Sequence, residues 1–210
     1  MSNKDIREFR AFTLDAHQGE DEDSKYFVRG YASTFEPYVL FEDEGVQYKE
    51  KVDRNAFDGA DMSDVIFLYN HEGMVYARQK NGTVNLDVDD HGLKVEADLS
   101  STEGSREMYE AIRSGLVDQM SFAFTVAEDS YDRETHTRTI LRFKKIYDVS
   151  AVSIPANPGT DINAVAQRSK FFDGVIEAEM TERSEQRKAA ELAEAKAALL
   201  NRIKEIRDEH

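Results

Sequence analysis

The sequence predicts a mainly β protein with helices, of the α+β class. The expected architecture is a closed or nearly closed barrel with peripheral helices and a long amphipathic helix at the C-terminal end. Three observations predict it. Short segments of alternating apolar and polar residues recur between residues 7 and 154. Proline occurs only at Pro37, Pro155 and Pro158, and the last two lie in "IPANPGT" (154–160), which no helix or central strand tolerates. Past Gly174 glycine and proline are absent, and Ala, Glu, Lys, Arg and Leu dominate.

The elements follow in order. "REFRAFTLD" (7–15) and "KYFVRGYAST" (25–34) form a hairpin around an acidic loop, and Pro37 closes this region. "VQYKEKV" (46–52) is a strand, followed by a short helical turn around "DRNAF". "DVIFLYN" (64–70) is a short apolar run of the buried kind. "TVNLDV" (83–88) and "LKVEADL" (93–99) alternate cleanly about "DDHG", a turn in which Gly92 is available for positive φ. In "SSTEGSREMYEAIRSG" (100–115) a Ser or Thr caps a helix with Met108, Ala111 and Ile112 on one face, and Gly115 suits the position past its end. "VDQMSFAFTV" (117–126) has the period of a half-buried strand, and "RTILRFKKIYDVSAVSI" (138–154) supplies one or two more. Seven or eight strands with an inserted helix are most economically arranged as a barrel.

Between Val175 and Arg207, Ala189, Leu192, Ala195, Leu199, Ile203 and Ile206 draw one narrow, alanine-rich stripe. It suits a coiled-coil seam or docking better than a deep core. It permits self-association without requiring it; a homo-oligomer, a dimer in the simplest case, is an expectation that the stripe alone does not establish. The expected division is a domain over 1–165 and a helical extension over 166–210.

Composition narrows the function. The chain has 210 residues, 40% of them hydrophobic, and a formal charge of −15. Residues 177–210 carry −2 of that, leaving −13 to the body, dense in "GEDEDS" (19–24) and "FEDEG" (41–45). A surface this acidic repels phosphate backbones and anionic lipid, so no nucleic-acid partner is expected. No run of 18 apolar residues suggests a membrane span, and "MSNKDIREFRAF" has no apolar h-region of a secretory leader. Cysteine is absent, which removes disulfides, thiolate metal sites and cysteine nucleophiles, and suits a reducing compartment.

Several candidate chemistries fail on spacing. "DVDDHGLKVEAD" (87–98) places Asp87, Asp89, Gly92 and Asp98 at calcium-loop positions, but His91 is a poor hard-cation ligand and the flanks read as strands. A hairpin turn is the better reading, with at most weak calcium binding there. No histidine cluster, phosphate-cradling loop or dinucleotide fingerprint is present, so neither a metal nor a cofactor is expected.

Of the histidines, His17 adjoins the acidic loop, His91 and His136 sit in turns or polar loops, and His210 is the last residue. Only His71 directly follows an apolar strand. Ser121 stands between Met120 and Phe122. A strand serine is ordinarily a small residue on the wetter face or a hydroxyl bonded to nearby backbone. Asp148 lies among apolar and β-branched residues, where a carboxylate is costly without a partner. A hydroxyl, an imidazole and a carboxylate are the parts of serine hydrolysis, which recurs in any chain order. Spacing alone does not join them.

Six pieces in order carry a resemblance: "RGYASTF" (29–35), "EKVDRNAF" (50–57), "FLYNHEG" (67–73), "DDHGLKVEADLSST" (89–102), "IRSGLVDQMSFAF" (112–124) and "YDVSAVSIPANPGTDINA" (147–164). Over roughly residues 7–165 the chain resembles the prohead maturation proteases of tailed phages, distant relatives of herpesvirus assemblin. The resemblance implies a serine endopeptidase on an assemblin-like barrel, with Ser121 as nucleophile and His71 as general base. Asp148 falls at the third position, where glutamate is commoner in the family. The implied substrates are a scaffold protein or the scaffold-like part of the major capsid protein, and the protease itself. "AVAQRSK" (164–170) is the expected self-cleavage region. The implied location is the immature procapsid in the bacterial cytoplasm. The rival expectation is a non-enzymatic scaffold or capsid-interaction protein that keeps a protease-like barrel.

Overall fold

The computed structural model describes residues 6–15, 26–43, 45–153 and 170–208. The acidic loop at 19–24, His17, the "IPANPGT" segment, the expected self-cleavage region before Lys170, the expected boundary at 165 and His210 lie outside them. The chain divides into two compact units, Met1–Arg168 and Ser169–His210.

The first unit is mainly β. Its strands are β1 (Glu8–Asp15), β2 (Phe27–Thr34), β3 (Tyr38–Asp43), β4 (Val46–Val52), β5 (Ile66–Tyr69), β6 (Glu72–Arg78), β7 (Val84–Val88), β8 (Gly92–Asp98), β9 (Gln119–Asp132) and β10 (Thr137–Val152), with helix α1 (Glu103–Arg113) before β9. The strand order is β3-β4-β10-β9-β1-β2-β8-β7, and β5 and β6 branch from β10. Of the expected closed or nearly closed barrel, the closed form is corrected: among the described residues β3 and β7 are unjoined ends.

The reason for the branching lies in β10. Its first half pairs in parallel with β4, from Thr137↔Lys49 to Ile140↔Val52, and its last half with β5, from Asp148↔Ile66 to Ala151↔Tyr69. Between them the turn segment lies along the same edge: Phe143 N–H donates to the Ala56 carbonyl at 2.8 Å and Ile146 N–H to that of Asp61 at 3.1 Å. That segment makes turns over the expected helical turn around "DRNAF", with Ala56 N–H donating to the Asp53 carbonyl at 2.9 Å.

Against β9, β10 shifts register repeatedly between Ile140 and Asp148. From Ile140 to Val149 its core residues therefore fall at Ile140, Phe143, Ile146 and Val149, every third position, before Ala151 restores the period of two. They pack with Phe122, Phe124 and Val126 of β9, Val28 and Ala32 of β2, Val95 of β8 and Met108 and Ile112 of α1 in one core.

The β1–β2 hairpin forms as expected, at Leu14↔Gly30 and Asp15↔Arg29, but the longer ladder of β1 runs against β9, from Glu8↔Phe124 to Thr13↔Gln119. The β7–β8 hairpin also forms. Gly92, however, is not left-handed. Its Cβ would lie 1.9 Å from the Ser33 carbonyl oxygen, so glycine is needed there for the close approach of β2. Helix α1 begins as its sequence predicts: the Thr102 hydroxyl accepts from Ser105 N–H at 3.1 Å. It ends in a Schellman turn, with Gly115 at φ 75° and Leu116 N–H donating to the Ala111 carbonyl at 3.0 Å.

A buried ionic cluster, unforeseen in the sequence, ties β1 to β4 and β10. The Arg10 guanidinium bonds Glu50 from Nε at 2.6 Å and from a terminal nitrogen at 2.7 Å, and Arg138 bonds both Glu8 and Glu50. The Tyr38 hydroxyl donates to Glu50 at 2.6 Å. Burial alone would raise the Glu50 carboxyl, but the Arg10 and Arg138 charges outweigh it and hold it below the ordinary range. Burial also pushes the Tyr38 hydroxyl well up, with the Glu50 charge adding to it.

The second unit is one helix, α2 (Lys170–Asp208). Of the expected stripe, Ala189, Leu192, Ala195 and Leu199 are exposed, and the side chains of Ile203 and Ile206 lie outside the description. No described helix is long and apolar enough to cross a membrane.

Candidate active site

Three local features bring distant residues together. The first is the strand that carries Ser121. β9 is paired on both sides there, with Ala11 of β1 and Ser150 of β10 as register partners. Phe122 and Phe124 face the core, so Ser121 and Ala123 face the other way. That face is not wet: every residue from Met120 to Val126 is buried, and Ser121 is 2% exposed. The half-buried strand expected here is buried on both sides.

The second feature is the β5–β6 turn. Tyr69 pairs with Glu72, and the loop between them is Asn70-His71. Asn70 has φ 51° and His71 φ 62°, the two positive values that a tight primed hairpin turn requires. Asn tolerates this conformation, whereas the histidine there carries backbone strain of about 1–2 kcal/mol. The surroundings hold the turn in place. Asn70 N–H donates to the Ala151 carbonyl at 3.0 Å, and Ser153 N–H donates to the Asn70 side-chain oxygen at 3.1 Å. Phe9 of β1 packs edge-on to the His71 ring with centroids 4.6 Å apart. The Phe9 carbonyl is itself gripped by Arg10 at 2.7 Å, so the buried ionic cluster helps fix the wall against which the imidazole rests.

The third feature is a bulge. Ile146 pairs with Phe124, a core position, but Asp148 pairs with Ala123. The bulge at Tyr147 moves Asp148 off the core face and onto the face of Ser121. Arg7 lies over the Tyr147 ring at 4.0 Å.

These features converge. His71 Nε2 lies 2.7 Å from Ser121 Oγ, and His71 Nδ1 lies 2.6 Å from Asp148 Oδ1. All three residues singled out in the sequence therefore meet, across separations of 50 and 77 positions. A carboxylate only accepts hydrogen bonds, so Nδ1 carries the imidazole proton and Nε2 presents its lone pair to the serine hydroxyl. Asp148 is almost fully buried, whereas the His71 side chain is 17% exposed.

Sequence reasoning missed Ser150, Asn70 and Phe9. Ser150 could have been found, because it lies two residues beyond Asp148 and so shares its face. The Phe9 contact depends on pairing between strands far apart in the chain, which no local pattern records.

The calcium-like loop is a turn. The Asp89 carboxylate accepts from Tyr31 Oη at 2.6 Å and from the backbone N–H of His91 and Gly92. Among the described residues no cluster of His, Asp or Glu is placed to hold a metal ion.

Searches of curated proteins and of solved structures find no match to the chain. A family model described as the caudovirus prohead serine protease matches residues 12–173. That span takes in the turn, β9 and β10, and with them every residue of the hydrogen-bonded relay. The chain therefore belongs to the caudovirus prohead serine proteases, the enzymes of phage capsid maturation.

Proposed function

We propose that Ser121, His71 and Asp148 are the triad of a serine endopeptidase. Ser121 Oγ attacks the scissile carbonyl carbon as its proton passes to His71 Nε2. The C–N bond then breaks, and His71 returns that proton to the departing amine. A water molecule attacks the resulting ester, gives its proton to His71, and the proton goes back to Ser121 as the C–O bond breaks. Asp148 holds the Nδ1 proton in place and stabilises the imidazolium formed at each transfer. The most exposed member is His71, so substrate reaches the relay over the imidazole. The observation that carries this reading is the unbroken relay at 2.6 and 2.7 Å.

The substrates are the scaffold protein or the scaffold-like part of the major capsid protein, and the enzyme itself, inside the immature procapsid in the host cell. Family membership supports capsid-related substrates in general. The protease domain is residues 1–165, and 166–210 is a helical extension whose alanine-rich stripe serves assembly or self-association.

The test is co-expression of wild-type or Ser121→Ala protein with the capsid or scaffold protein, read by mass on a gel. Wild type shortens its partner and the alanine variant does not, while both melt within a few degrees of each other, since losing one hydroxyl costs about 1 kcal/mol. Continued cleavage by the folded alanine variant removes Ser121 from the mechanism.

A further inference from the structure

We infer that Ser150 is a positioning residue for this site, acting through Asp148. The inference rests on the triad reading above. Ser150 is fully buried on β10, directly across from Ser121 on β9. Its hydroxyl donates to Asp148 Oδ1 at 2.8 Å, the same oxygen that accepts the hydrogen bond from His71 Nδ1–H at 2.6 Å. The donor therefore meets the one atom on which the imidazole depends.

Ser150 has a specific physical task. A short aspartate on a bulged strand can rotate about its χ angles, and a rotation that swings Oδ1 away breaks the bond to His71. The Ser150 hydroxyl opposes that rotation. It also spreads the carboxylate charge over two donors in a site where Asp148 is only 2% exposed. Because i and i+2 share a strand face, the same bulge at Tyr147 delivers both the acid and its orienting hydroxyl. A serine present only to fill space would be as well placed with its hydroxyl on a backbone carbonyl.

The test needs no natural substrate. A serine-directed fluorophosphonate is reacted with full-length wild type and with Ser150→Ala over a range of probe concentrations, which separates the limiting rate of labelling at Ser121 from the apparent affinity. Ser150→Ala is expected to lower the limiting rate ten- to a hundredfold with apparent affinity unchanged, the usual scale for removing a group that orients a reacting residue. Ser33→Ala, which removes another fully buried strand hydroxyl, is the matched control and labels like wild type. If Ser150→Ala does not fold, the near-isosteric Ser150→Cys, a weak donor, carries the same comparison.

An NMR measurement in the Ser121→Ala background makes the second arm. The low-field resonance of the His71 Nδ1 proton is expected sharp with Ser150 present, and shifted upfield or broadened in Ser121→Ala/Ser150→Ala. Labelling of Ser150→Ala at the wild-type rate, or an unchanged resonance, overturns the inference. A wild type that never labels at Ser121 while the resonance still depends on Ser150 sinks the hydrolase reading and leaves the positioning role standing.

Discussion

Asp148→Asn separates what the carboxylate does by charge from what it does by direction. In this site both donors, His71 Nδ1 and Ser150 Oγ, converge on the same oxygen, Oδ1. An asparagine can place its amide oxygen there and satisfy both, so the imidazole keeps the tautomer that presents Nε2 to Ser121. What disappears is the negative charge facing the imidazolium formed as Ser121 attacks. At a charge separation of about 4 Å and an effective dielectric of about 20, that attraction is about 4 kcal/mol. Each 1.36 kcal/mol is tenfold in rate, so Asp148→Asn is expected to slow chemistry about a thousandfold. Asp148→Ala loses direction as well as charge and should be slower by a further tenfold or so. The assay is the limiting rate of fluorophosphonate labelling at Ser121, with circular dichroism and thermal melts as controls of fold. An Asp148→Asn rate within tenfold of wild type would refute the electrostatic role, and equal rates for Asn and Ala would refute the orienting one.

Other outcomes follow from the scaffold. Glu50→Gln removes the charge that two buried guanidiniums share and should cost about 3–5 kcal/mol of stability, read by urea unfolding of the Ser121→Ala protein; a loss under 1 kcal/mol would show that the cluster does not need its central anion. Because the Glu50 carboxyl is held below its ordinary value, its contribution is complete above the usual carboxylate range and fades as pH falls through the depressed value, so the melting temperature should decline on acidification; a flat melting temperature from pH 6 to pH 3 would contradict this. Gly92→Ala drives a methyl into the Ser33 carbonyl and should destabilise by about 3 kcal/mol or abolish folding, whereas wild-type stability would mean that β2 and β8 part easily. Asn70→Ala removes the side-chain bond to Ser153 and places alanine at positive φ. It should cost about 1–2 kcal/mol and reduce labelling at Ser121, and full activity would show that the turn needs no clamp.

The residues of the relay were legible in the sequence, but their meeting was not. His71 stood out because it alone among the histidines follows an apolar strand, and Asp148 because a carboxylate sat in a run that otherwise belongs in a core. Alternation around Ser121 identified its strand and its neighbours' core face. What stayed hidden was everything set by pairing between distant strands. Strict alternation from Ile146 would turn Asp148 toward the core, and only the bulge at Tyr147 puts it beside the imidazole. The same irregularity gives β10 a core period of three, so its sequence matches neither the strand nor the helix template well. β6 was overlooked because its apolar residues, Met74 to Ala77, run consecutively without the alternation of a half-buried strand, and Met74 and Val75 are exposed. Nothing in the sequence marks Arg10, Glu50 and Arg138 as buried partners, since mutual neutralisation inside a protein leaves no local mark on the chain. Closure of the barrel was inferred from strand number, and strand number does not say whether the ends meet.

The placement of Ser121 in mid-sheet also bears on how the enzyme should fail. A hydroxyl on a strand laddered on both sides cannot be lost by fraying, so the amide protons around it should exchange only when the whole molecule opens. His71, at the tip of a two-residue turn, belongs to the part that yields first. Thermal inactivation should therefore begin reversibly, through displacement of His71, below the temperature at which the sheet itself melts.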